Sequence, residues 1–213
     1  MRALAEPAPQ AAGEAAPLHR AVLLDDPEQA MQARIALIRG ARTTLDLQTY
    51  IYAEDDAGWL FLRELLAAAG RGVRVRLLVD QISALERVET LAALSAAHAN
   101  FELRVYNPTR GRGRPNLVHY ALDVACCMRR LGQRMHSKVM MADGLLAIAG
   151  GRNFKDEYFG LSHDYNFQDK DVLLTGGEVA AMVGGFEAIW TDPRSVPAER
   201  LVDVGRFLLR NGT

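Results

Sequence analysis

Leu45 to Val79 reads LDLQTYIYAEDDAGWLFLRELLAAAGRGVRVRLLV, and this stretch decides the fold class. Its first part, Leu45 to Tyr52, is apolar enough on both faces for a central strand. Asp55 or Asp56 can cap a helix whose Leu62, Leu65, Leu66 and Ala69 recur at helical spacing before Gly70. Val73 to Val79 follows as a second strand covered on both sides. Strand, helix and strand in this order form a βαβ unit.

The same rhythm extends outward in both directions. Upstream, Ala21 to Leu24 forms a strand, and Asp26-Pro27 supplies an N-cap with proline in the first helical turn. Met31, Ile35 and Ile38 mark that helix's buried face, and Gly40 stops it. Downstream, a helix near Ala84 to Ala97 precedes a strand with alternating Phe101, Leu103 and Val105. The fold class expected is α/β, with a mixed, largely parallel β-sheet flanked by helices on both faces.

The rhythm breaks at a basic, Gly/Pro-rich loop over residues 107–120, followed by a short helical stretch carrying Cys126 and Cys127. His136 to Met141 and Leu145 to Ala149 then read as the arms of a hairpin turned by Asp143-Gly144. A polar connection leads to a strand from Asp171 to Leu174. Val179, Met182, Val183, Phe186 and Ile189 make the apolar face of a helix ending at Trp190. Residues 1–18, rich in Ala, Pro and Glu, are expected to be a flexible lead-in. Residues 19–197 are expected to form one domain, and 198–213 a weakly patterned tail or truncated linker.

Bulk composition narrows the function classes. At 213 residues there is material for one sizeable core, and a formal net charge of -1 gives no global attraction to polyanions. A nucleic-acid role would need a local basic patch. The adjacent cysteines make a structural disulfide between them unexpected, and they offer no zinc spacing. No stretch has the length of a membrane-spanning helix and the N-terminus lacks a signal-type apolar region, so a cytoplasmic or peripheral inner-membrane location is expected.

The chemistry concentrates in HSKVMMADGLLAIAGGRN, residues 136–153, which holds His136, Lys138, Asp143, Gly150, Gly151 and Asn153. His136 and Lys138, two apart on an expected strand, project to one side and can address one bound group. A phosphodiester is an anion whose charge must be masked before phosphorus is attacked; Lys138 supplies a charge and Asn153 a neutral donor. His136 can attack and later leave, forming a phosphohistidine without metal or other cofactor, provided a carboxylate or carbonyl orients it. Gly150 and Gly151 let the backbone approach phosphate oxygens. Asp143, in its Asp-Gly turn, lies far from His136 and is better suited to stabilising the turn. Asp171, opening a later strand, is the better orienter, with Asp169 as the alternative.

These residues, as H-x-K-x4-D-x6-G-G-x-N, resemble the HKD signature of the phospholipase D superfamily. LDLQTYIY, GVRVRLLVD, RMHSK, GGRNFKDEYFG and FQDKDVLL are similar to the corresponding stretches of bacterial cardiolipin synthase-like proteins, from Arg20 to about Pro197. The resemblance implies His136 as nucleophile or its acid partner, Lys138 and Asn153 as phosphate ligands and Asp171 as the supporting carboxylate. It also implies an Asp143 away from the phosphate, a phospholipid substrate such as phosphatidylglycerol, and peripheral membrane contact.

Members of that family use two such motifs, and no second H-x-K occurs here: His19, His98, His119 and His163 all lack the lysine. His119, in the basic loop, is the least improbable substitute acid. The missing motif would come from a C-terminal half, which the stretch after Trp190 favours, or from a homodimer partner. A homodimeric nuclease is the alternative, with Arg110, Arg112 and Arg114 contacting a DNA backbone. A catalytically incomplete phosphate-binding fragment is the third reading.

Overall fold

The structure is a computed structural model, and it describes residues 20–83, 85–114 and 117–211. The expected flexible lead-in therefore lies outside the described residues. In chain order the elements are β1 (Arg20–Leu24), α1 (Pro27–Gly40), β2 (Thr44–Thr49), α2 (Asp56–Gly70), β3 (Arg74–Asp80), α3 (Val88–Ser95) and β4 (Phe101–Tyr106). They continue with α4 (Leu117–Leu131), β5 (Val139–Ala142), β6 (Leu146–Gly150), β7 (Asp171–Thr175), α5 (Gly177–Trp190), β8 (Ser195–Pro197) and α6 (Val202–Asn211).

The strands join one eight-stranded mixed sheet in the order β1-β7-β6-β5-β2-β3-β4-β8. The α/β class and the mixed sheet are as expected, but the parallel portion is smaller. Only β2–β3 and β3–β4 pair in parallel; the other pairings are antiparallel. The reason is local. Parallel neighbours need a crossover helix, and α2 and α3 supply two, whereas β5 and β6 are joined by a short turn that can only make an antiparallel pair.

Alternation along each strand sends side chains to two cores. Leu45, Leu47, Val75, Leu77, Met140 and Ile148 pack beneath α1, α2 and α3, while Leu78, Met141 and Ala147 face α5 through Val179, Phe186 and Trp190. The α5 side also buries an ion pair: Arg76 donates to Asp46 from Nε (2.6 Å) and Nη2 (2.9 Å), with its guanidinium 4.9 Å from the Phe186 ring.

Local capping matches the sequence. Asp26 accepts from Gln29 N at 2.8 Å with Pro27 opening α1, and Asp55 accepts from Gly58 N at 2.9 Å at the start of α2. The buried face of α1 is a correction. Ala30, Arg34, Leu37 and Ile38 turn inward, leaving Met31 and Ile35 half-buried, because Arg34 is drawn to an acidic partner beneath the sheet edge.

Two further corrections concern regions of weak pattern. The stretch after Trp190 is folded: β8 extends the sheet beside β4, and α6 packs on α3 with Leu201 and Val204 fully buried. Asp203 at the start of α6 accepts from the backbone N–H groups of Gly113 and Arg114, both at 2.8 Å, which closes the long basic loop onto it. Cys126 and Cys127 are disulfide-bonded to each other, against expectation. The backbone leaves helical geometry at Cys127 (φ -143°, ψ 32°), which is the departure that lets neighbouring side chains meet.

Candidate active site

Apart from Asp143, the residues of the histidine motif gather at one end of the sheet, where β2, β3 and β4 finish and β5 begins. β5 starts only at Val139, so His136 and Lys138 sit in the connection before it and not on the strand itself. That connection is fixed from below. Asp80, fully buried at the end of β3, accepts from Met135 N at 3.1 Å and from Arg134 Nη1 at 3.4 Å, while Asn107 Nδ2 donates to Gln133 O at 2.8 Å. Burial pushes the Asp80 carboxyl upward, with the Ile82 N–H and Arg134 opposing it.

The chain leaving β2 and the chain leaving β6 meet beyond the short β5. Tyr52 and Phe154 form a bridge, and Ala53 N donates to Phe154 O at 2.8 Å. Their rings stack at 5.1 Å, which braces the junction. Asn153 is thereby buried with its amide oriented: Oδ1 accepts from Ile51 N at 2.9 Å and from Thr49 Oγ1 at 3.5 Å. Using the carbonyl end in this way commits the NH2 end to donation.

Lys138 is buried, and its Nζ lies 3.2 Å from both ring nitrogens of His136 while donating to His136 O at 2.7 Å. Lysine and histidine thus share one spot, although neither lies on the strand whose alternation was expected to bring them together. Burial lowers the Lys138 pKa from its ordinary value, and the carboxylate of Asp169 partly restores it. Tyr50 was not singled out from the sequence. Its ring centroid is 4.8 Å from that of His136 and 5.7 Å from Lys138 Nζ, so it forms a wall of the site. One signal was available: Tyr50 is the first residue past β2, at the edge where ligands gather in open α/β sheets.

The two candidate orienting carboxylates have different surroundings. Asp171 is fully buried and takes ion pairs from Arg34 Nη2 at 3.0 Å and Arg152 Nη1 at 3.1 Å, with Arg152 N donating to its Oδ1 at 3.3 Å. Its described contacts are with arginines and not with His136. Arg152, also missed by sequence reasoning, is fully buried and donates to Leu24 O, Asp25 O and Tyr158 O, stitching β1 to the site edge. Asp169 accepts from Lys170 N at 2.8 Å, and its carboxylate occupies the space where a Cβ on Gly151 would stand. A Cβ on Gly150 would run into Asp171 and the Lys170 carbonyl. Gly150 is therefore required by close approach of the backbone entering β7, a reason distinct from the phosphate contact expected of it, whereas at Gly151 the neighbour is the Asp169 side chain alone.

Asp143 stands at the far end of β5, as its turn position implied. Its carboxylate accepts from Arg42 N (3.0 Å), Thr43 N (2.7 Å), Thr43 Oγ1 (2.8 Å) and Thr44 N (2.9 Å). Burial pushes its pKa up, but these donors prevail and hold it at about 2.

The basic loop does not present the row of free arginines that a DNA contact would need. Arg110 pairs with Asp123 at 2.8 Å. Arg114 donates to Leu85 O at 3.1 Å and Gln81 O at 3.4 Å, so it secures the loop to the β3–α3 connection. The carbonyl of Arg112 receives Gln81 Nε2 at 2.7 Å, and its guanidinium belongs to a half-buried residue. His119 lies half-buried on α4, one turn before buried Asp123.

Comparison with known proteins places the chain in a family. Residues 35–190 match the family described as cardiolipin synthase, PLD-like domain. Cardiolipin synthase C of Escherichia coli (strain K12) is 38% identical over 176 residues, 82% of this chain and 36% of that protein. Major cardiolipin synthase ClsA of Bacillus subtilis (strain 168) is 30% identical over 169 residues, 79% of this chain and 32% of that protein. The chain thus spans about a third of the length of the curated relatives it matches. Among solved structures, NucT from Helicobacter pylori superposes with a TM-score of 0.62 at 14% identity, covering 84% of this chain and 99% of its own. Phosphatidylserine synthase of Haemophilus influenzae Rd KW20 gives 0.65 at 16% identity, covering 89% and 42%. These structural likenesses establish a shared fold.

Proposed function

The chain belongs to the family of cardiolipin synthase, PLD-like domains, and from that premise we propose that it carries one half of a phospholipid phosphodiester-cleaving or phosphatidyl-transferring site working through a phosphohistidine. The observation that carries this reading is the cluster of His136, Lys138 and the amide-oriented Asn153 on one sheet edge. In the proposed first step a neutral His136 nitrogen attacks phosphorus, the P–N bond forms, and the bond to the leaving alkoxide breaks. The ammonium of Lys138 and the NH2 of Asn153 hold the phosphoryl oxygens as charge builds on them. The leaving oxygen takes its proton from an acid on a second motif, supplied by a further half or by a partner chain. In the second step an alcohol such as glycerol, or water, gives its proton to that same second-motif group as its oxygen attacks phosphorus, and the P–N bond breaks to return neutral His136.

Asp169 supports Lys138 in this scheme through its charge, and Asp171 serves the same edge indirectly by holding Arg34 and Arg152. Tyr50 confines the imidazole. Phosphatidylglycerol is the substrate proposed. Incubating the chain with headgroup-labelled and phosphate-labelled lipid, then quenching in alkali, should trap phosphate label on protein, stable to base and released by acid. His136→Ala should remove it; label persisting in that variant overturns the mechanism.

A further inference from the structure

Helix α4 is built inside out. Among its described side chains the buried one is Asp123, held by Arg110, while Val118 (66% exposed), Leu122 (49%), Val124 and Met128 (63%) face outward, with Ala121 and Ala125 exposed between them. A helix on a water-facing surface carries the opposite pattern, and a contiguous apolar face of this kind marks an interaction surface. The charge on the helix has one sign where it is accessible. Arg129 is exposed, Arg130 follows it in sequence, and the only acidic residue of Leu117–Leu131 is Asp123, which is neutralised by Arg110.

The face is joined directly to the site. Arg134 Nε donates to Leu131 O at 2.6 Å, Asn107 and Asp80 hold Gln133 and Met135, and His136 comes next. We propose that α4 is the element by which this chain seats on an anionic phospholipid bilayer, its Val118, Leu122 and Met128 entering the acyl boundary and its exposed Arg129 meeting the headgroup phosphates. The occupant follows from charge complementarity: among the described side chains of α4 the exposed charge is the cation of Arg129, which fits an anionic lipid surface, whereas a second copy meeting it face to face would bring like charges together. The proposal rests on the phospholipid reading of the site, for it puts His136 at the level of the headgroups.

The test is flotation of the full chain with vesicles of phosphatidylglycerol and phosphatidylethanolamine, and with phosphatidylcholine vesicles as the uncharged arm. Binding to the anionic vesicles that weakens with salt is expected. Leu122→Glu combined with Met128→Glu should reduce it by about tenfold or more; Val118→Glu alone should reduce it by less, and both proteins should melt as the parent does. Unchanged vesicle binding in the double variant overturns the proposal, as does an absence of binding by the parent chain. Loss of self-association on sedimentation, with vesicle binding intact, assigns the face to a second copy instead. Hydrolysis of a soluble phosphodiester, bis(p-nitrophenyl) phosphate, is followed in parallel. If α4-dependent vesicle binding is seen and a His136-dependent hydrolysis is not, even with a second-motif domain supplied, the catalytic reading fails while the membrane face stands.

Discussion

Asp169 and Asp171 are two residues apart and serve different neighbours. Asp171 neutralises two buried guanidinium groups, and burial depresses the pKa of Arg34 against the pull of that carboxylate. Removing it strands buried positive charge, which costs about 3 to 5 kcal/mol. Asp169 instead lies against Gly151 and biases Lys138. Asp171→Ala should therefore show a large fall in the midpoint of urea unfolding, whereas Asp169→Ala should unfold near the parent midpoint yet lose most phosphodiesterase turnover. The reverse assignment of these two phenotypes would place the orienting carboxylate at Asp171. Lysine protonation gives a second residue-scale expectation. Phosphate binding needs the ammonium form of Lys138, and burial lowers its pKa, so affinity should fall on the alkaline side at a pH below the ordinary lysine range. Asp169 opposes that lowering, so Asp169→Asn should move the alkaline limb of kcat/KM to still lower pH, and Lys138→Arg should flatten it.

At the scale of elements, the hairpin β5–β6 illustrates what could be read in advance and what could not. Asp143-Gly144 named the turn, and both residues do take positive φ (54° and 65°). The sequence placed Asp143 away from the phosphate, but not its receptors, since Arg42, Thr43 and Thr44 lie about a hundred positions away and only the sheet order brings them together. The same long-range cause hid Arg34, Arg152 and Asp171, whose burial breaks the usual rule for charged residues and is legible only once the three are neighbours. Helix α6 carries Val204, Phe207 and Leu208 at helical spacing but was missed because its mate, α3, is remote in sequence. The βαβ core from β2 to β3 needed no such knowledge, its hydrophobic period being local. Asp143 also gives an expectation in pH. Its folded pKa is lowered to about 2, so its stabilisation is present above the unfolded carboxylate value near 4 and is lost as pH falls toward 2. Asp143→Asn should destabilise the fold by about 1 to 2 kcal/mol at neutral pH, and its thermal midpoint should change less than the parent's between pH 5 and pH 2. Equal acid sensitivity in both proteins would assign the effect to other groups.

At the scale of the whole molecule, one histidine motif on one sheet edge sets a stoichiometric question. The cardiolipin synthases matched are about three times longer than the matched region, while NucT is covered over 99% of its length by a single domain of this size. A second acid can be placed opposite His136 in two ways: by another half in the same polypeptide, or by another copy across a two-fold axis. They differ by mass action. If two copies complete the site, specific activity should rise with protein concentration and level off where sedimentation shows a dimer. Mixing His136→Ala with Lys138→Ala would then yield little rescue, since each mixed pair still contains one damaged motif on each side. If a further half completes it, specific activity should stay low and flat across that range and should be restored by a separately supplied second-motif domain, with His136→Ala abolishing the restored activity. Full activity at concentrations where the chain sediments as a monomer would rule out both and require that an acid within this chain, with half-buried His119 on α4 as the first to test by His119→Gln, protonates the leaving oxygen.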